Sequence, residues 1–150
     1  MSTATIRKAS INELEPLAVL FDTYRQFYEQ APDIALAKAF IAARLNNKDS
    51  VIFVAENSDE KLIGFCQVYP SFCSVIAAKI GVLYDLYVDS NIRKTGAGRA
   101  LMLAVHEYAA NNGWARLDLT TAKNNHAAQA LYASLDWVRD EVFYTYTKDI

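Results

Sequence analysis

The sequence predicts one mixed α/β domain, a central sheet of about six to seven strands flanked by four helices. Three observations predict it. Apolar runs of strand length alternate with amphipathic stretches of helical period along the whole chain. A strand, a helix and a second strand follow one another between Tyr84 and Thr120, the order of a right-handed parallel crossover. The 150 residues are 53% hydrophobic, enough for a packed core and the right length for a single domain over residues 1–150.

Thr5 to Ala9 reads as a first strand, and Ser10-Ile11-Asn12-Glu13 as a capping box opening a helix. Leu14, Leu17, Ala18 and Phe21 give that helix an apolar stripe that Tyr24 and Tyr28 continue, until Pro32 breaks it. Asp33 can cap a second, Ala-rich helix to about Leu45. Val51–Ala55 and Lys61 to about Phe72 form a hairpin across the turn Asn57–Glu60, and Ala77–Asp89 contains the next strand. After Gly96 and Gly98, Leu101, Ala104, Val105, Tyr108 and Ala109 line one face of a helix that Gly113 ends in the left-handed region. Ala115–Thr120 is a strand, Asn124–Ser134 a helix, and Trp137–Thr147 closes the chain with strand character.

Composition excludes several classes. Fifteen basic against seventeen acidic residues leave a net charge of −2, so bulk charge does not hold this chain to nucleic acid. No apolar run reaches the length of a membrane span or a signal peptide. Cys66 and Cys73 are too few for a disulfide scaffold and read as free thiols of a reducing compartment, which points to the cytoplasm. With His106 and His126 they share no ligand spacing, so no metal site is expected.

The chemistry concentrates in Arg93-Lys94-Thr95-Gly96-Ala97-Gly98-Arg99, between a strand and an amphipathic helix. Two glycines allow close backbone approach, the helix start offers unpaired N–H groups, and three basic residues add charge. A pyrophosphate suits such a loop. The Walker spacing is absent, and a dinucleotide fingerprint would need glycine where Leu101 stands.

Arg93-x-x-Gly96-x-Gly98 resembles the Q/R-x-x-G-x-G/A signature of the GCN5-related N-acetyltransferases (GNAT). Asn125-x-x-Ala128-x-x-Leu131-Tyr132 is similar to a second pattern of that family, and the element order matches over essentially the whole chain. The family commonly has glycine where Asp136 stands, and Asp tolerates the left-handed turn required there.

The resemblance implies an enzyme that transfers an acetyl group from acetyl-CoA to an amine. The amides of Lys94 to Arg99 would hold the pyrophosphate of this cosubstrate. A bulged strand would bind the pantetheine arm through the backbone of Leu86, Tyr87 and Val88, with its amides at the developing oxyanion. Asn125 would contact the pantetheine or its phosphate side, and Tyr132 would protonate the departing thiolate. Asp85, the one carboxylate between Gly81 and Val88, is the leading general base, with a water chain or a purely structural carboxylate as alternatives. By the same resemblance the first two helices shape the acceptor site, where Tyr24, Arg25, Tyr28 and Tyr84, with Tyr69 and Phe72, would meet a small amino-acid-like or polyamine-like amine. The aromatic end Phe143–Tyr146 suits a homodimer seam. The competing reading is a non-enzymatic acyl-CoA-binding module on the same fold.

Overall fold

The computed structural model describes residues 4–92 and 95–150, which group into two compact units, one through Leu119 and one from Thr120 to Ile150. The first unit runs β1 (Thr5–Lys8), α1 (Leu14–Phe27), α2 (Ile34–Asn47), β2 (Val51–Glu56), β3 (Leu62–Cys73), β4 (Ala78–Val88), α3 (Ala97–Asn111) and β5 (Leu117–Asp118). The second contains α4 (His126–Ser134). The sheet has the order β1-β2-β3-β4-β5, antiparallel through β4 and parallel between β4 and β5, where α3 makes the crossover.

Side chains alternate across a sheet, and the helices divide accordingly. Ile52, Val54 and Phe65 point to α1 and α2, where they pack with Leu17, Phe21 and Ile41. Phe53 and Cys66, one residue out of phase, face α3: the Phe53 ring lies 5.9 Å from that of Tyr108, and the Cys66 thiol donates to Leu101 O at 3.9 Å. Leu101, Met102 and Val105 are buried on this second face. Cys66 and Cys73 are both free thiols. Among the described residues no helix is long and apolar enough to cross a membrane.

Several expected boundaries differ for identifiable reasons. Ser10 caps no amide, because Glu13 pairs instead with Arg7 of β1, whose guanidinium also reaches Glu56 at 2.6 Å. A 3₁₀ turn over Ile11–Glu13 then leads into α1. That helix stops at Phe27, well before Pro32. The buried Asp22 carboxylate gathers Arg25 Nη1 at 2.8 Å, Gln26 Nε2 at 3.3 Å and the Asp33 N–H at 3.1 Å, which folds the chain back. Asp33 caps α2 as expected, its side chain accepting from Leu36 N–H at 3.0 Å.

The expected closing strand over Trp137–Thr147 is absent, so the sheet has five strands where six to seven were anticipated. Within this segment Phe143, Tyr144 and Tyr146 are exposed, and the Asp140 carboxylate accepts the N–H groups of Val142 and Phe143, which makes a local turn there.

Gly81 sets how closely β4 and β5 approach. A Cβ at this position would lie 2.4 Å from Trp114 Cζ3 and 2.8 Å from Leu117 Cδ2, so the indole occupies the place of a side chain. Gly81→Ala is expected to cost about 1–3 kcal/mol through overpacking, read as a lower midpoint in urea unfolding. An unchanged midpoint would show that Trp114 swings aside without penalty.

Candidate active site

The first unit builds its site where the sheet opens. β4 pairs with β5 only at Gly81 and Val82, and runs on from Leu83 to Val88 without a described strand on that side. The β3–β4 register shifts between Gln67, opposite Asp85, and Val68, opposite Leu83, so Tyr84 is the extra residue of a bulge. Leu86, Tyr87 and Val88 lie just beyond it, opposite Cys66, Phe65 and Gly64. The bulge is therefore offset toward the start of the pantetheine-binding stretch anticipated from sequence.

Beyond β4 the chain reaches the first turn of α3. Gly96 takes φ 80°, and a Cβ there would meet nothing within 4 Å, so glycine is required for its backbone angle and not for space. Ala100 N–H makes an early helical bond, to Gly96 O at 3.0 Å, and Ala97 N–H approaches Thr95 Oγ1 at 3.4 Å. Gly98 and Arg99 belong to the same turn, where a helix supplies no acceptors of its own. Arg93 and Lys94 lie outside the described residues.

A cleft of about 430 Å³ adjoins the bulge. Phe21, Phe40, Tyr69 and Tyr84 form its aromatic walls, with Pro70, Ser71 and Val82, and among the described residues Asp85 is its one charged lining residue. Tyr69 and Tyr84 meet edge to face at 5.9 Å. Phe72, expected as a wall, does not line it and is exposed.

Asp85 is buried, and two side chains hold its carboxylate: Gln67 Nε2 donates to Oδ2 at 2.9 Å and the Tyr24 hydroxyl donates to the same group. Ser50 Oγ donates in turn to Gln67 Oε1 at 2.7 Å, which fixes the amide's orientation. Burial pushes the Asp85 pKa above the ordinary carboxylate range, opposed by these two hydrogen bonds. Burial first and the Asp85 charge second push the Tyr69 phenol up to about 12, so it stays protonated at neutral pH. The buried Cys66 thiol, also pushed up to about 12 by burial, is no nucleophile.

The other anticipated acceptor residues divide. Tyr24 joins an aromatic cluster with Phe65 at 5.5 Å and Tyr87 at 5.9 Å besides touching Asp85. Arg25 is engaged by Asp22 and by Ala31 O at 3.5 Å, and Tyr28 closes the end of α1 against Tyr24 at 5.2 Å. Neither lines the cleft.

In the second unit Asn125 is the N-cap of α4, its side chain accepting Ala128 N–H at 3.2 Å. Tyr132 is half-buried on that helix, its ring 6.2 Å from Trp137. Asp136 takes φ 65°, the left-handed angle expected where glycine is usual. Gln67 and Phe40 escaped the sequence reading and Phe21 entered it only as part of the α1 stripe, because an isolated polar residue in an apolar run and helix phenylalanines carry no signature of a site. No cluster of three or more potential metal-ligating side chains occurs among the described residues.

A sequence model described as the acetyltransferase (GNAT) family matches residues 17–137. The chain is 41% identical to an uncharacterized N-acetyltransferase of Bacillus subtilis over 97% of both chains. It is 28% identical to a D-amino-acid N-acetyltransferase of Saccharomyces cerevisiae over 83% of this chain and 79% of that one. The crystal structure of a probable acetyltransferase superposes with a TM-score of 0.91 at 33% identity, covering 97% of each chain. The chain belongs to the GNAT family and is an acetyltransferase.

Asp85 also sets a pH dependence of folding. Its pKa is raised on folding, so the folded state holds the proton more tightly than the unfolded state, and stability falls as pH rises from the ordinary Asp value of about 4 through the folded pKa. Urea unfolding of wild type and Asp85→Asn across pH 3–8 should show the variant gaining relative to wild type through this window. A constant difference across the range would place the Asp85 pKa at its ordinary value.

Proposed function

We propose that this enzyme transfers the acetyl group of acetyl-CoA to the primary amine of a small molecule by direct attack in a ternary complex. The observation that carries the reading is a buried carboxylate, Asp85, at the bulge where the unpaired edge of β4 meets an aromatic cleft.

The residues present fit acetyl-CoA. The open edge from Leu83 to Val88 can hydrogen-bond an extended amide-bearing arm as a missing strand would. The first turn of α3, led by Gly96, suits its pyrophosphate, with Thr95, Ala97, Gly98 and Arg99 around it. Arg93 and Lys94 would add positive charge from the same loop, and Asn125 would contact the pantetheine side. When bound, acetyl-CoA supplies an activated acetyl thioester.

The protein's own part is positioning and proton transfer. An amine arrives as an ammonium with a pKa near 10 and must lose a proton before attack. Asp85, directly or through water, takes that proton, and its raised pKa makes it a better acceptor than an exposed carboxylate. Gln67 and Tyr24 keep its oxygens aimed. Backbone N–H groups at the bulge would be available to stabilise negative charge on the acetyl oxygen. Tyr132 would be the acid that protonates the departing thiolate. The cleft volume suits a small acceptor, and the yeast relative's name is consistent with one.

Calorimetric titration with acetyl-CoA tests the first half. Saturable binding is expected for wild type. It should weaken at least tenfold, about 1.4 kcal/mol, in Gly96→Glu, which puts a β-carbon at φ 80° and a negative charge in the pyrophosphate seat. Equal binding by both proteins would remove the α3 turn from the site. For the second half, Tyr132→Phe should lower kcat by roughly 10²–10⁴ while leaving acetyl-CoA affinity intact. Unimpaired turnover in that variant would exclude Tyr132 as the acid.

A further inference from the structure

We infer that Ser50 is a positioning residue for Asp85: acting through the Gln67 amide, its hydroxyl holds the carboxylate beside the cleft in its charged form. The inference deepens the transferase reading, on which its bearing on the reaction rests.

Ser50 stands between α2 and β2, two residues before Ile52, which pairs with Gln67. Its hydroxyl crosses to Gln67 Oε1 at 2.7 Å, and Gln67 Nε2 donates to Asp85 Oδ2 at 2.9 Å. Gln67 is fully buried and Asp85 nearly so. Asp85 lines the cleft, whereas Ser50 does not, so Ser50 can act on the site only through the amide.

A buried amide can point in two directions. A charged carboxylate only accepts, so it demands the Nε2 end, and the Oε1 end then needs a donor of its own. Among the described residues that carbonyl accepts from Ser50 alone. Without the hydroxyl, Oε1 is a buried acceptor left unsatisfied, which is costly. Protonated Asp85 can relieve it, because its O–H would donate to Oε1 once the amide has turned round. Loss of the Ser50 hydroxyl therefore favours the acid form of Asp85, and its presence favours the base. The Ser50 bond also polarises the amide and strengthens its donation to Oδ2.

Other titratable groups surround Asp85 from each neighbouring element. From α1 the Tyr24 hydroxyl donates to the carboxylate itself. From β3 the Tyr69 phenol and the Cys66 thiol, both pushed up to about 12, stay neutral, and Tyr84 beside it on β4 is exposed. Arg44 of α2 and Asp49 after it pair at 2.9 Å and act on Tyr69 in opposite directions. Among the described residues none of these donates to Gln67 Oε1.

Ser50→Val and Ser50→Thr have the same shape and differ in the hydroxyl, and valine also keeps water from taking its place. With aspartate labelled at the carboxyl carbon for NMR, the Asp85 resonance is the one lost in Asp85→Asn. Its titration midpoint should rise by about half a unit or more in Ser50→Val, about threefold tighter proton binding, and keep its wild-type value in Ser50→Thr. Ser50→Ala should move it in the same direction as valine. Gln67→Leu should raise it as well, and Ser50→Val added to Gln67→Leu should bring no further rise. A midpoint unmoved in Ser50→Val, or an equal added rise in the Gln67→Leu background, overturns the inference. The pH dependence of kcat/KM for thiol release from acetyl-CoA, with 2-phenylethylamine as acceptor, tests the link to the reaction separately. Its acid limb should move up with the carboxyl in Ser50→Val and return in Ser50→Thr. A carboxyl that moves while the limb stays refutes Asp85 as the base and leaves the Ser50 link standing.

Discussion

A strand that loses its neighbour half-way along must leave a row of backbone donors and acceptors facing outward, and the architecture of this protein follows from β4 doing so. Up to Val82 the strand is an ordinary sheet member, pressed against β5 through the contact of Gly81 with Trp114 and Leu117. From Leu83 it is held on one side only, and the extra residue at Tyr84 bends it at the point of departure. The opening places three things together: an unpaired strand edge, a helix start that follows it in sequence, and the mouth of the aromatic cleft. A cosubstrate with an amide-rich arm and a pyrophosphate can use the first two at once.

Inside the opening the dominant cost is keeping Asp85 away from water. Burial alone would hold it neutral and passive. The Ser50–Gln67–Asp85 chain and the Tyr24 hydroxyl offset part of that cost, so the carboxylate is satisfied in its charged form yet still inclined to take up a proton. A base needs both properties. Tyr24 also ties α1 to the sheet, since its ring meets Phe65 edge to face and packs beside Tyr87 while its hydroxyl reaches Asp85.

Local features were legible in the sequence where one residue's chemistry decides the backbone. Asp33 caps α2, Gly113 takes φ 70°, and Asp136 takes the left-handed angle inferred from its replacing a glycine. The run Val51–Ala55 could be placed because apolar strand-length segments have few other uses. What was hidden depends on partners distant in sequence. Glu13 abandons a cap for Arg7, Arg25 is taken by Asp22, and the bulge sits at Tyr84 because of register with β3. Gln67 could not be singled out, since its role exists only once Asp85 lies opposite. The strand character read after Trp137 gives way locally to the turn in which Asp140 accepts the Val142 and Phe143 N–H groups.

The β4–β5 ladder spans only two residue pairs, whereas β3 and β4 pair along nearly their whole lengths. Antiparallel neighbours joined by tight turns form early, but β5 must return across the whole of α3, so its pairing closes a long loop for little ladder in exchange. It is accordingly the seam at which the sheet parts first under thermal fluctuation, and amides around Gly81 and Leu117 should exchange with solvent ahead of those in β2 and β3. A ligand laid along the open edge of β4 and fastened to the first turn of α3 would span that seam from the other side. Cosubstrate binding would then act as a clasp, slowing the breathing of the sheet as well as delivering the acetyl group.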